Sequence, residues 1–267
     1  MSEYLLKHLE EASSLLTEGR LSLFLDYDGT LTRITGRPED ACMSYQVREL
    51  MRALAARYPL AIISGRSLAD IRSKVGMEGI VYAGNHGLEV HSPLFTMTYD
   101  IGRQAREELE GLRAAFRALA EKFKGVIFED KGFTLTVHYR LLSSRSFEIF
   151  KESFDAAVSG ALGRGHVRLG QSKKAFEIKA TVRWDKGRAV NWLLDRPLFR
   201  GTTPVYIGDD ETDRDSYRAI GTKGLSVNVG GAVDEAPYFL QAQEEVVTFL
   251  KWLLGQPSSA CGLISII

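Results

Sequence analysis

A short apolar run, Leu21 to Leu25, stops abruptly on Asp26-Tyr27-Asp28-Gly29-Thr30, and this junction constrains the chain more than any other feature. An apolar run of that length bounded by acids and glycine reads as a strand buried on both faces, the kind found in parallel sheets covered by helices. The polar residues then occupy its carboxyl end. The same grammar repeats. Val47, Leu50, Met51 and Leu54 recur at helical spacing in SYQVRELMRALAARY and lead through Pro59 into a second buried strand, LAIISG; the helix SLADIRSKV precedes a third, IVYAG. Strands alternating with helices in this order imply a parallel α/β sheet. Ahead of it, Leu5, Leu6, Leu9, Leu15 and Leu16 among charges predict one surface helix over residues 4–18.

Beyond Gly87 the grammar changes. LEVHSPLFTMTY reads as a hairpin turning at Ser92-Pro93, and the first core segment ends near Asp100. Ala105, Leu109, Leu112, Phe116, Leu119 and Phe123 then form one stripe of an amphipathic helix. GVIFED and FTLTVHYR read as strands turning at Lys131-Gly132. The second sets Phe133, Leu135, Val137 and Tyr139 against a polar face of Thr134, Thr136, His138 and Arg140. A further helix and the pair HVRLG and KAFEIKA complete an α+β block over 101–182, inserted into a discontinuous core of 1–100 and 183–267. From Trp184 the βα grammar resumes with DKGRAVNWLLD, TPVYIGDD, TDRDSYRAI, GLSVNVG and EEVVTFLKWLL.

With 34 Lys+Arg against 34 Asp+Glu, the chain has no basic field to hold a nucleic acid or an anionic membrane. A small-molecule partner is expected. Two cysteines, Cys42 and Cys261, supply neither a disulfide framework nor a zinc cluster, which favours a reducing, cytoplasmic setting. The N-terminal stretch lacks the apolar core of a signal peptide, and no run approaches a membrane span. The tail QPSSACGLISII reads as a frayed or packed end, and the chain is expected to act as a monomer.

Two carboxylates two residues apart, at the carboxyl end of a parallel strand, sit where open α/β sheets bind ligands. There Asp26 can attack phosphorus as a nucleophile and Asp28 can act as general acid and then base. Gly29 lets backbone approach an anion, and Thr30 offers it donors. Ser64-Gly65-Arg66 ends another strand, where hydroxyl and amides can hold phosphate, although SGRS is also an ordinary N-cap. Lys186 stands at a helix N-terminus, the wrong end of the dipole for a cation, and a phosphate would give it a reason to be there. Asp209, Asp210, Glu211 and Asp213 crowd the end of a further strand. Such acids repel one another unless a cation such as Mg²⁺ lies among them, though they also suit the start of the next helix.

DYDGT, SGR, WDKG and GDDETD, in this order around an inserted cap, resemble the haloacid-dehalogenase-like phosphohydrolases. More narrowly, LFLDYDGTL, AIISGRS, YAGNHGLE, VHYR, FEIK followed by WDKG, and YIGDDETD resemble the trehalose-6-phosphate phosphatases, over residues 20–255. The resemblance implies a Rossmann-like core with an α+β cap that sets specificity, and hydrolysis of trehalose 6-phosphate through an aspartyl-phosphate at Asp26. It implies Mg²⁺ on the Asp26 carboxylate, the Asp28 carbonyl and Asp209, with Asp210 and Asp213 in support, and phosphoryl oxygens on Ser64 and Lys186. In the cap it points to Glu129, Lys131, Arg140, Lys174 and Glu177 as sugar contacts; His86, in Asn85-His86-Gly87, is a candidate beside them. Strict alternation puts Lys174 and Glu177 on opposite faces unless Lys174 lies in a bulge or loop. Arg214 departs from the family, which often has Glu there. The alternatives are a phosphatase for another sugar phosphate, such as a sucrose or mannosylglycerate phosphate, a phosphomutase, and a non-catalytic sugar-phosphate sensor, whose expected mark is loss of an acid from DxD.

Overall fold

The computed structural model describes residues 2–16, 20–172 and 174–256, and opens with a two-residue strand, β1 (Glu3–Tyr4), a 3-10 turn over Leu5–Lys7, and helix α1 (Leu9–Leu16). This replaces the single helix expected over 4–18. The backbone of Glu3 and Tyr4 pairs with an edge strand at Tyr238–Leu240, and Leu5 is wholly buried. Edge pairing and burial here outweigh local helix preference. Cys261 and the tail from residue 257 lie outside the described residues, whereas Cys42 is exposed and free.

The chain then runs through β2 (Arg20–Leu25), α2 (Tyr45–Ala55), β3 (Leu60–Ile63), α3 (Leu68–Val75), β4 (Val81–Gly84), β5 (Glu89–His91) and β6 (Thr96–Thr98). Next come α4 (Arg103–Lys122), β7 (Ile127–Asp130), β8 (Thr134–His138), α5 (Ser144–Arg164), β9 (Val167–Ser172) and β10 (Ala175–Ala180). The last elements are α6 (Lys186–Leu194), β11 (Thr202–Gly208), α7 (Arg214–Ile220), β12 (Leu225–Val229), β13 (Tyr238–Leu240) and α8 (Gln243–Gly255). Ser44, Ser67, Ser143 and Asp185 accept backbone N–H bonds at the starts of α2, α3, α5 and α6, as N-caps do.

Two units result, Met1–Met97 with Trp184–Ile267, and Thr98–Arg183. In the first, a nine-stranded sheet has the order β1-β13-β12-β11-β2-β3-β4-β5-β6; it is parallel from β1 to β4, and β5 pairs antiparallel with β4. β2 is central, between β11 and β3. Its alternation sends Leu23 and Leu25 to one face with Met51, Leu54, Phe249 and Leu253, and Phe24 to the other with Val190, Leu193, Tyr206 and Tyr217. Burial on both faces is why this run carries no polar face of its own. It also leaves Asp26 as the first residue past the covered sheet.

The second unit holds an antiparallel sheet, β7-β8-β10-β9. Leu135, Val137, Phe176 and Ile178 are buried on one face. Phe154 stacks on Phe176 at 4.4 Å and on Phe116 of α4 at 5.5 Å between centroids, so aromatic rings fill this core. The other face is polar in composition but less open than alternation suggests, since Thr134 and Thr136 are also buried.

Candidate active site

Four loops of the first unit converge at the carboxyl ends of β2, β3 and β11 and the start of α6. Asp26 and Lys186 are almost wholly buried, and Asp213 entirely so. The Lys186 Nζ donates to Asp26 Oδ1 and to Asp213 Oδ1, each at 2.7 Å. Two carboxylates therefore explain a lysine at the unfavourable end of a helix. Burial opposes the Lys186 charge, but Asp213 and Asp26 outweigh it and raise its pKa, keeping the ammonium at any working pH. Burial pushes the Asp26 carboxyl well up, with Asp213 and Asp209 acting in the same direction and Lys186 against them.

The acidic run of residues 209–213 divides its labour. Asp213 accepts four hydrogen bonds, from Lys186 Nζ and the Tyr206 hydroxyl (2.6 Å) on Oδ1, and from the amides of Asp209 (3.2 Å) and Asp210 (3.0 Å) on Oδ2. That uses about the full accepting capacity of a carboxylate, so Asp213 organises the loop. Asp210 is exposed and caps the 3-10 turn Glu211–Asp213, accepting from the Glu211 amide at 2.7 Å. Glu211 pairs with Arg214 at 3.0 Å, and Arg214 also reaches Glu235. Capping and ion pairing thus relieve most of the repulsion in this run. Oxygens of Asp26, Asp209 and Asp213 lie within 4.8 Å of one another. A Cβ on Gly29, whose φ is +88°, would fall 2.0 Å from Asp209 Oδ2. Glycine is thus what lets Asp209 come against the backbone of the β2 loop. Hard oxygen donors gathered this closely fit a divalent cation, which Asp26 and Asp209 could hold.

Asp28 is held by arginine. Arg66 Nε and Nη2 donate to the two Asp28 oxygens, both at 2.6 Å, while its remaining bonds reach Asp70 Oδ2 (2.7 Å) and the Pro38 carbonyl (2.8 Å). Arg66, expected to touch substrate, has most of its donors committed to this fork. Ser64 is buried, its Oγ accepting from the Arg66 amide at 3.1 Å. The N-cap of α3 is Ser67, not Ser64, so the two serines of SGRS have separate tasks. A Cβ on Gly65 would lie 2.8 Å from His86 Cε1, which places the imidazole directly over this loop. Asn85 and His86 both have positive φ, and their amides donate to the carbonyls of Arg66 (2.7 Å) and Ser64 (2.9 Å). Non-glycine residues in this conformation store strain that their surroundings must hold, of order 1–3 kcal/mol each. Thr30 is buried, its hydroxyl has no hydrogen-bond partner among the described residues, and its carbonyl accepts from Gln243 at 3.2 Å. Gly187 completes the junction: a Cβ there would meet the Asp215 carbonyl at 2.2 Å, so α6 and α7 touch backbone to backbone.

A second polar constellation lies within the other unit, on the sheet face opposite its aromatic core. Register aligns Glu129 with Thr136 and Thr136 with Glu177. Lys131 Nζ lies 3.7 Å from both Glu129 and Glu177, Lys179 Nζ lies 2.5 Å from Glu177, and His138 meets Glu129 at 3.0 Å. Lys174 occupies the turn between β9 and β10 with φ +63°, its carbonyl accepting from the Tyr139 amide at 3.0 Å, so strand alternation does not govern its direction. Arg140 lies two residues past the end of β8, at the same end of the sheet. Lys179 was missed from sequence although it stands two residues after Glu177, and that period alone assigns it to this face. Tyr206 and Asp70 were also missed. Asp70 stands four residues after Arg66, a spacing at which an ion pair is readable from sequence, whereas Tyr206 shows only through Asp213.

The Trehalose-phosphatase family profile matches residues 24–242. The chain belongs to the trehalose-phosphatase family. Among its relatives, the probable trehalose-phosphate phosphatase 9 of Oryza sativa subsp. japonica is 35% identical over 245 residues, covering 82% of this chain and 65% of the relative. The trehalose-phosphate phosphatase of Mycobacterium tuberculosis (strain ATCC 25177 / H37Ra) is 35% identical over 245 residues, covering 88% of this chain and 61% of that protein. An uncharacterized glycosyl hydrolase of Mycobacterium tuberculosis is 35% identical over 255 residues; 90% of this chain matches only 18% of it, so the chain spans under a fifth of that relative's length. The solved C-terminal domain of a C. albicans trehalose-6-phosphate phosphatase superposes with a TM-score of 0.75 at 21% identity, covering 96% of this chain and 99% of that one. A haloacid dehalogenase-like hydrolase from Bacteroides thetaiotaomicron gives 0.60 at 16%, covering 88% and 100%. These likenesses establish the haloacid-dehalogenase-like α/β fold, and the trehalose-phosphatase profile spans the residues of both constellations.

Proposed function

We propose that this chain hydrolyses trehalose 6-phosphate to trehalose and inorganic phosphate, the closing step of trehalose synthesis. The observation that carries the reading is Asp26, buried at the carboxyl end of the central strand and hydrogen-bonded to Lys186, with Asp28 two residues on. Family membership and the polar face around Glu129, Lys131 and Glu177 support the sugar ester as substrate. The balanced charge is consistent with a small molecule rather than a polymer, and no described helix is long and apolar enough to cross a membrane. Two cysteines, too few for a disulfide framework, favour a cytoplasmic setting.

An Asp26 oxygen displaces the sugar alkoxide from phosphorus, and Asp28 supplies the departing oxygen with a proton. Asp28 then takes a proton from the water that attacks the aspartyl-phosphate, which releases phosphate and restores Asp26. To donate, Asp28 must carry a proton and let go of Arg66, so the fork describes its resting position. Lys186, Ser64 and Thr30 supply fixed donors for phosphoryl oxygens, and such preorganised donors are needed where accelerations reach ~10²¹. Asp26 and Asp209 would hold Mg²⁺, which when bound offsets the negative charge of nucleophile and phosphate.

The deciding experiment measures phosphate release from trehalose 6-phosphate, sucrose 6-phosphate and glucose 6-phosphate, with Mg²⁺ and with EDTA. Mg²⁺-dependent preference for the trehalose ester is expected; cleavage of an aryl phosphate alone would keep the chemistry and reject the substrate. Glu177→Gln is expected to raise KM for the disaccharide ester about 10- to 100-fold, as for loss of a charged hydrogen bond worth roughly 1.5–3 kcal/mol. Unchanged kinetics on every ester would remove Glu177 from the site. Mg²⁺ should raise the melting temperature of the wild type by binding only the folded state, and Asp209→Asn should abolish that increment. An equal increment in both proteins would place the metal elsewhere.

A further inference from the structure

The buried lysine shares its charge between two acids, and Tyr206 sits where it can set the division. Tyr206 lies on β11, wholly buried, in register with Phe24 of β2, and its ring meets Tyr217 edge-on with centroids 5.7 Å apart. Its hydroxyl donates at 2.6 Å to Asp213 Oδ1, the same oxygen that accepts from Lys186 at 2.7 Å. Lys186 in turn donates to Asp26 at 2.7 Å. One cation thus faces two carboxyl groups in a buried site, where the charge on each acid decides how strongly it holds the ammonium. The amides of Asp209 and Asp210 occupy the other Asp213 oxygen, which leaves Tyr206 as the second donor on Oδ1.

We propose that Tyr206 is a positioning residue whose hydroxyl satisfies Asp213, so that Lys186 is kept available to Asp26 and to the phosphoryl group rather than drawn onto Asp213. The inference rests on the phosphatase reading for its kinetic arm but not for its binding arm. Removing the hydroxyl concentrates negative charge on Asp213, tightens its hold on Lys186 and takes the ammonium away from the nucleophile. The carboxylates that face a cation keep their charge. Metal binding should therefore survive a change that weakens phosphate binding and turnover, a pattern that loss of the loop's architecture would not give.

The test compares wild type, Tyr206→Phe, Asp213→Asn and the double variant. Calorimetry measures Mg²⁺ binding first, and then inorganic phosphate binding to the Mg²⁺-loaded protein. Tyr206→Phe is expected to bind Mg²⁺ no more weakly than wild type and to bind phosphate about tenfold more weakly. With trehalose 6-phosphate its kcat should fall roughly 10- to 100-fold, and its KM should rise by no more than about the tenfold lost in phosphate affinity. In the Asp213→Asn background, Tyr206→Phe should add nothing, because the acceptor charge it serves is gone. Tyr217→Phe removes another buried hydroxyl of the same aromatic pair, one bonded to Asn228 at 3.1 Å, and controls for packing; its phosphate affinity should match wild type. Equal phosphate affinity in Tyr206→Phe and wild type overturns the proposal. So does a parallel loss of Mg²⁺ affinity, or full additivity with Asp213→Asn. A wild type that binds both ions yet cleaves no ester refutes the phosphatase reading and leaves the binding comparison to decide on Tyr206.

Discussion

Asp26→Asn is expected to lower phosphate release at least about 10⁴-fold while leaving the fold intact, since removal of a covalent nucleophile leaves only binding and electrostatic contributions. Asparagine keeps the shape of the side chain at the end of β2 and still offers an oxygen to Lys186, which retains Asp213. Folding should therefore be little changed by circular dichroism and urea titration. The unfolding curve is measured on the same preparation as the rate, which separates loss of the nucleophile from loss of structure. Retention of more than about a hundredth of the wild-type rate with trehalose 6-phosphate, well above the residual activity expected without a nucleophile, would reject covalent catalysis at this position.

Lys186→Met gives the largest effect on stability. Methionine fills the space of the lysine stem but leaves Asp26 and Asp213 facing each other without their shared cation. Removing one partner from a buried ionic cluster costs about 3–5 kcal/mol, because the remaining charges have neither water nor a counter-ion. The loss has a pH signature. Burial already raises the Asp26 pKa in the folded protein, whereas the unfolded chain titrates in the ordinary carboxylate range. Only between the unfolded and the folded values does the folded state bind more protons than the unfolded state, so stability from this group is present at low pH and lost as pH rises through the folded value. Without Lys186 the folded value moves higher still. In EDTA, the stability gap between Lys186→Met and wild type should narrow as pH falls from 7 towards 5. A gap that widens on acidification would mean that the two carboxylates are not the source of the penalty.

The βα rhythm and the acids at strand ends were legible because both are local. A run such as LSLFL must be buried on both faces, and DYDGT must then emerge where the sheet ends. β1 escaped because two residues carry no period, and because its stability comes from β13, over two hundred residues away in sequence. The acidic run of residues 209–213 was legible as a charge cluster but not as a division of roles. Sequence spacing does not distinguish an acid that caps a turn, as Asp210 does, from one that receives four hydrogen bonds in the interior, as Asp213 does. Arg66 and Tyr206 were obscure for the same reason: their functions are defined by partners in loops and turns, Asp28 after β2 and Asp213 after β11, that meet them only in the folded chain. Alternation identified the polar face of the second sheet, and Lys174 stands in the loop position that its pairing with Glu177 on one face required, where a turn residue with positive φ obeys no strand period.

The close approaches at Gly29 and Gly187, where even one methyl group would strike Asp209 or the Asp215 carbonyl, bear on how such a protein can diversify. Residues interlocked at backbone distance cannot be changed one at a time, because each substitution displaces a neighbour that other loops also depend on. The phosphate chemistry is therefore confined to very few neighbouring sequences. New substrates must be acquired at positions free of that interlock, such as the exposed turn carrying Lys174, where a single replacement alters a surface without disturbing the reaction centre. On the proposed function, chemistry and recognition are thus separated along the chain itself, and descendants of this sequence can drift in what they accept while remaining fixed in what they do to it.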